Sequence, residues 1–173
     1  METAFGKRLD RVRQASPLVH CISNLVTAND CANIVLAAGA SPIMADAPEE
    51  VREITALSRA LCLSLGTPNP RKADAMFLAG RKAAELGLPV VFDPVGVGAS
   101  AYRQEIARKL LQDIPLTVLR CNASELQTLS GQSLVSRGVD AGKAPELETL
   151  LLPASAAYQH FSSSMAREMI RYH

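Results

Sequence analysis

Residues 89–100, PVVFDPVGVGAS, decide how this chain folds. Val90, Val91 and Phe92 are β-formers, the apolar run stops at the carboxylate of Asp93, and Pro94, Gly96 and Gly98 come next with turn chemistry. The pattern predicts a buried strand that delivers Asp93 to its mouth. Ligands of an open α/β sheet bind in the crevice beyond the carboxyl ends of the strands, so an acid placed there can hold a metal ion or accept a proton. The alternative is a residue that stabilises the turn before Pro94. Gly96-Val97-Gly98 is no dinucleotide fingerprint, since G-x-G-x-x-G is incomplete and no helix is expected to open directly on it.

Upstream, residues 70–86 have helical spacing, with Pro70 at the start and Gly87 just past the end. Before them, residues 61–65 (LCLSL) predict a strand that ends in the polar Gly66-Thr67-Pro68-Asn69. A helix over 46–60 is expected next, capped by Asp46, with Pro48 in its first turn and Val51, Ile54, Leu57 and Ser58 facing inward. Further back come a strand over 41–45 (SPIMA), a helix over 27–38, a strand over 17–22 (PLVHCI) closed by Ser23-Asn24, and a polar, helix-compatible segment over 1–15. Downstream, a helix over 101–112 precedes a strand over 116–120 (LTVLR).

Short apolar strands alternating with amphipathic helices predict a doubly wound α/β fold. The sheet is mostly parallel, because parallel neighbours need crossover connections, and helices lie on both faces, because both must be covered. The mouths at Ser23-Asn24, Met44-Ala45, Gly66-Thr67, Asp93 and residues 120–122 then gather on one edge.

With 173 residues, 48% of them hydrophobic, the chain can bury a substantial core as one domain or part of one. A net charge of +1, with Lys and Arg spread rather than blocked, argues against nucleic acid or anionic membrane as partners. Cys21, Cys31, Cys62 and Cys121 form no C-x-x-C, so free thiols are expected rather than a zinc site or disulfides. His20 reads as a strand histidine with its bonds satisfied, not a metal ligand. No secretory apolar region opens the chain and no run is long enough to span a bilayer, so a cytoplasmic location is expected.

After the fifth strand, Asn122-Ala123-Ser124-Glu125 allows two readings. Asn122 with Glu125 three residues on resembles a capping box. Alternatively Glu125, with Asp93 on the neighbouring mouth, holds a hydrated Mg²⁺ while Arg120 reaches nucleotide phosphates; such an ion needs only one or two carboxylates. No G-x-x-x-x-G-K-[ST] occurs, which excludes a P-loop kinase.

The blocks VHCISNLVT (19–27), GASPIMADAPEEV (39–51), LSLGTPN (63–69), PVVFDPVGVGAS (89–100) and LRCNASEL (119–126) resemble, in order and spacing, hydroxyethylthiazole kinases, ribokinase-like enzymes of thiamine salvage. SRGVDA (136–141) is similar to the family as well. The resemblance implies transfer of the γ-phosphate of MgATP to the alcohol of 4-methyl-5-(2-hydroxyethyl)thiazole by a homotrimer with sites between subunits. It implies Met44 as a thiazole contact, with Asn24, Val26, Gly66 and Thr67 lining the substrate pocket. It also implies Arg120 and Asn122 as ATP contacts, and Asp93 and Glu125 around the magnesium. The family's Gly-rich anion-hole turn, GTGC or GAGC, has no counterpart string here, so no cysteine is assigned as catalytic.

On this basis residues 1–144 are expected to be the N-terminal part of a ribokinase-like kinase domain, incomplete at its C-terminus. Residues 145–173 are expected to form a divergent tail, consistent with a shifted reading frame or an unrelated ending, with residues 155–170 either helical or disordered. Late strands missing from such a fold would leave an open sheet edge, exposed apolar helix faces and altered assembly. Two further readings stay open: a catalytically inactive thiazole-binding or oligomerisation module, and another small-alcohol kinase of the same superfamily.

Overall fold

A computed structural model describes residues 4–131. The expected tail over 145–173, including residues 155–170 with their helical and disordered readings, and the SRGVDA segment lie outside the described residues. Within them, α1 (Ala4–Ala15), β1 (Leu18–Ile22), α2 (Ala28–Ala37), β2 (Ser41–Ile43), α3 (Val51–Leu57), β3 (Ala60–Ser64), α4 (Pro70–Glu85), β4 (Val90–Asp93), α5 (Ala101–Asp113), β5 (Val118–Leu119) and α6 (Ala123–Leu129) alternate as the pattern predicts. The five strands form one parallel sheet in the order β2-β1-β3-β4-β5.

The alternation of strand residues assigns two unlike faces. His20, Ile22, Leu61, Leu63, Val90, Phe92 and Leu119 are buried against α3, α4, α5 and α6, where Val51, Ala75, Met76, Ala79, Ile106, Leu110 and Leu126 complete the core. The opposite face carries Cys21, Cys62, Val91 and Asp93; α2 lies on that side, where its Cys31 comes within electrostatic reach of Cys21. No residue of α2 is buried, and Leu25, Val26, Ile34 and Leu36 are exposed in and before it.

Gly80 marks where α4 meets α5. A Cβ there would come within 2.9 Å of Ile114, so the glycine sets how closely the two helices approach. Asn69 caps α4 by accepting the Lys72 N–H at 2.9 Å, with Pro70 at the first helical position.

The helix expected over 46–60 is much shorter. Residues up to Glu50 form a turn, Asp46 is not its cap, and Glu50 stands at the N-cap without a side-chain bond. Leu57 is exposed rather than inward, and Thr55 joins Val51 and Ser58 as buried residues instead. The reason is His20. Its ring is fully buried, with Nδ1 2.9 Å from Thr55 Oγ1 and Nε2 2.8 Å from the Ala45 carbonyl, so α3 turns toward β1 the face that carries the hydroxyl. The expectation of a satisfied strand histidine is thus met. The strand expected over 41–45 stops at Ile43, and the one over 116–120 is reduced to Val118–Leu119. A 3₁₀ turn, Val97–Ala99, stands on Gly96-Val97-Gly98 and runs by way of Ser100 into α5, so helical structure does open on the glycines.

All four cysteines are free, as expected. Pairing of β1 with β3 nonetheless puts Cys21 and Cys62 side by side, although 41 positions are not a spacing that sequence reading links.

Burial pushes the His20 imidazole below its ordinary pKa, against the bond to Ala45 and the charge of Glu50, which pull it up. A depressed base contributes stability that is complete above its unfolded pKa, about 6.5, and is lost as pH falls through the folded value. Urea midpoints of the wild-type chain are expected to drop between about pH 7.5 and pH 5.5. His20→Gln is expected to lack that part of the slope, whatever its absolute stability.

Candidate active site

Sheet order sets the site. Along the carboxyl edge the mouths run Met44, then Asn24, then Gly66-Thr67, then Asp93, then Arg120 with Asn122 and Glu125. Neighbouring strands stand roughly 4.8 Å apart, so every residue singled out in the sequence falls on one edge.

The first half is built by the loops after β1, β2 and β3. Asn24 Oδ1 accepts the Thr27 N–H at 3.0 Å, which turns the chain into α2. Gly66 is pressed against it: a Cβ at Gly66 would lie 2.4 Å from Asn24 Cβ, so only glycine allows the two mouths to meet. Thr67 adopts φ 47, rare for a residue other than glycine, and its Oγ1 accepts the Leu25 N–H at 3.1 Å. Met44 and Val26 are exposed on the same edge.

The second half carries the charge. Arg120 Nη1 donates to Asp93 Oδ2 at 2.9 Å, while Asp93 Oδ1 is buried and has no hydrogen-bond partner among the described residues. Asn122 caps α6 by accepting the Glu125 N–H at 2.9 Å, and Glu125 Oε2 accepts the Asn122 N–H at 3.0 Å, so the capping box is fully formed. The other carboxylate oxygen, Oε1, accepts the Gly96 N–H at 3.0 Å and ties α6 to the turn behind Asp93. The two acids share one neighbourhood. Between them the Cys121 thiol is pushed up to about 12 by burial, with Glu125 and Asp93 adding to the shift and Arg120 opposing it.

Burial also raises the Asp93 carboxyl above its ordinary value, against the Arg120 guanidinium, which lowers it. An orphaned carboxylate oxygen is the feature a cation would satisfy, and Glu125 keeps one lone pair on each oxygen after its two backbone bonds. This donor set suits a hydrated divalent ion held chiefly by water, with one or two protein carboxylates. Among the described residues no group of three or more His, Cys, Asp and Glu that could hold a metal ion is found.

Two charged residues that sequence reading passed over also support the mouths. Lys72 is buried and its Nζ donates to the Ser23 carbonyl at 2.8 Å, bracing the Asn24 turn. Arg103 Nη1 donates to the carbonyls of Leu65 and Val95 at 2.9 and 2.8 Å. Each sits in the first turn of a helix, where a basic side chain carries no periodic sign that it folds back over strand ends. The only local hint is the cap before each, Asn69 or Ser100. A groove of ≈ 500 Å³ lined by residues such as Asp74, Phe77, Arg81 and Asp113 lies on the outer side of α4 and α5 and contains none of these residues.

The parallel sheet and the loops gathered at its carboxyl edge define an open α/β fold with one candidate ligand-binding edge. A hydroxyethylthiazole kinase structure from Pyrococcus horikoshii OT3 superposes with a TM-score of 0.76 at 37% identity, over 87% of this chain and 56% of that one. Residues 9–162 match the hydroxyethylthiazole kinase family. The chain is 49% identical over 163 residues to the hydroxyethylthiazole kinase of Desulfovibrio desulfuricans, covering 94% of this chain and 57% of that protein. It is 51% identical over 139 residues to the one of Clostridium beijerinckii, covering 80% and 50%. The chain therefore belongs to the hydroxyethylthiazole kinase family, and it spans about half the length of the curated relatives it matches. No helix among the described residues is long and apolar enough to cross a membrane.

The raised Asp93 pKa has a measurable sign. An acid whose folded pKa lies above its unfolded value contributes stability below about pH 4 and loses it as pH climbs through the folded value. Asp93→Asn is expected to gain stability relative to wild type between about pH 4 and pH 7 in urea titrations. A difference that stays constant across that range would mean an ordinarily solvated carboxylate.

Proposed function

We propose that the chain forms the alcohol-binding half, and part of the nucleotide-binding half, of a hydroxyethylthiazole kinase that phosphorylates the hydroxyl of 4-methyl-5-(2-hydroxyethyl)thiazole with ATP. The order of the mouths carries this reading: an apolar and uncharged group at Met44, Asn24, Val26, Gly66 and Thr67 stands beside a charged group at Asp93, Arg120, Asn122 and Glu125. A small heteroaromatic alcohol suits the first, a polyphosphate the second.

Phosphoryl transfer depends on positioning and on neutralising charge at the phosphates. Arg120, exposed and paired with Asp93, supplies the mobile cation for the phosphates. Asp93 and Glu125 would hold a hydrated Mg²⁺, which when bound neutralises charge on the phosphate oxygens. Asn122 meets the nucleotide through its side-chain amide nitrogen, since its side-chain oxygen already accepts from Glu125 N–H and Ser124 Oγ. Thr67 keeps its hydroxyl at the alcohol side through the Leu25 bond.

The exposed apolar residues of and before α2 are the surface on which further copies of the chain would assemble as a homotrimer, and the location is read as cytoplasmic. Residues 1–144 are taken as the N-terminal part of the kinase domain and 145–173 as a divergent tail, with the family match continuing to residue 162.

Incubation of purified chain with MgATP and the thiazole alcohol, with product and binding measured separately, tests the reading. Turnover is expected to be weak, because the anion-hole string has no counterpart in this sequence, and to fall about a hundredfold further in Asp93→Ala. Met44→Ala is expected to weaken thiazole binding about tenfold while ATP binding holds. Thiazole binding without any product would instead identify a binding module. Product from hydroxymethylpyrimidine alone would identify a different small-alcohol kinase.

A further inference from the structure

The two groups of mouths meet at a seam between β3 and β4. Along the ladder the seam is closed by the Leu65 N–H donating to the Asp93 carbonyl at 2.9 Å. Over the strand ends it is closed by the Arg103 side chain. Arg103 stands in the first turn of α5, its own N–H held by Ser100 Oγ at 3.3 Å, and its guanidinium folds back so that Nη1 reaches both Leu65 and Val95 carbonyls. Both acceptors are backbone carbonyls rather than carboxylates, so the cation is spent on geometry and not on pairing charge.

Each acceptor leads directly into a loop of the site. Leu65 precedes Gly66-Thr67, and Thr67 Oγ1 holds the Leu25 N–H. Val95 precedes Gly96, whose N–H holds Glu125 Oε1. Gly96 sits at φ 66, and a Cβ there would lie 3.6 Å from Arg103 Nη1, so the turn passes directly beneath the guanidinium. A continuous path of bonds and short backbone steps thus joins Leu25, Thr67, Arg103, Gly96 and Glu125.

We infer that Arg103 is a positioning residue: it fixes the Gly66-Thr67 loop, on the alcohol side, relative to the Gly96–Glu125 contact on the phosphate side. The role rests on the assignment of the two halves proposed above, and it requires no contact between Arg103 and either reactant. Transfer between groups held on separate loops is sensitive to their spacing, a misplacement of about 1 Å costing on the order of a hundredfold.

Amide hydrogen exchange of the full chain tests this directly, comparing wild type with Arg103→Met, which keeps the stem and loses both donors, and Arg103→Lys, whose ammonium can serve both carbonyls. In Arg103→Met the Gly96 and Leu25 amides are expected to exchange about tenfold faster or more, while the Leu61 and Ile114 amides keep their protection. Arg103→Lys is expected to stay within about threefold of wild type. Acceleration of all four amides alike, or of neither loop amide, overturns the inference. Should Arg103→Met fail to fold, the nitrogen-15 spectrum of the wild-type guanidinium decides: slow rotation about the Cζ–Nη bonds supports the clamp and free rotation overturns it.

In the transfer assay Arg103→Met is expected to lose about tenfold to a hundredfold in kcat with each KM within about threefold, and Arg103→Lys to recover most of the loss. Faster loop exchange with unchanged kcat would overturn the positioning role. Wild-type chain without turnover would count against the functional assignment, while the exchange result still decides whether Arg103 clamps the loops.

Discussion

Parallel pairing of β3 with β4, in the register Leu61↔Val90 through Ser64↔Asp93, is the constraint from which the other elements take their position. Leu61, Leu63, Val90 and Phe92 put one side of this pair in a fully dry layer, and a slip of either strand by one residue would turn that strand's two to the other face. The pairing continues past the strands as the Leu65 N–H bond to Asp93, so the acid and the glycine loop are aligned by the same ladder that buries the core. Because α4 must cross over between parallel neighbours, the same constraint places its N-terminus, with Asn69 and Lys72, at this edge.

From that centre the edge divides its chemistry. Towards β1 and β2 the mouths are held by close approach and uncharged bonds, as between Gly66 and Asn24 or Thr67 and Leu25, together with the Lys72 ammonium on the Ser23 carbonyl. Towards β5 they are held by charge and by helix capping, as between Arg120 and Asp93 or Glu125 and Asn122. Glu125 serves both local structure and the site: its carboxylate completes a cap and also fastens the Gly96 turn. The capping and functional readings of the Asn122–Glu125 pair are therefore not rivals, since a carboxylate with two backbone donors is held still while each oxygen keeps a lone pair. Asp93 differs, with one oxygen paired and one buried without a partner among the described residues. The two neighbouring acids are thus treated unequally, one with both oxygens held and one with a single oxygen paired.

Much of this was legible from residue order alone. The alternation of apolar strand and helix, the position of Asp93 after Phe92, the Asn-x-x-Glu spacing and the satisfied His20 all follow from local chemistry, because strand period, cap geometry and turn residues are written within a few positions of one another. The extent of α3 was not legible. Leu57 fits a helical stripe, yet the buried polar pair of His20 and Thr55 turns the helix so that Leu57 faces outward. Nor was the roll of Gly96-Val97-Gly98 into a 3₁₀ turn, whose Gly96 N–H is held by Glu125 from 29 positions away.

The class of fold, the family blocks and the identity of the residues at the strand mouths are all carried by the order of amino acids, without reference to any distant contact. Which of those residues meet is a matter of three-dimensional packing, since strand order β2-β1-β3-β4-β5 is set across crossovers and leaves no local mark. The backward reach of Arg103 and Lys72 to backbone carbonyls at the site has the same origin. Long basic side chains have a wide reach, and which carbonyl needs a donor is known only once the surrounding loops have lost their water.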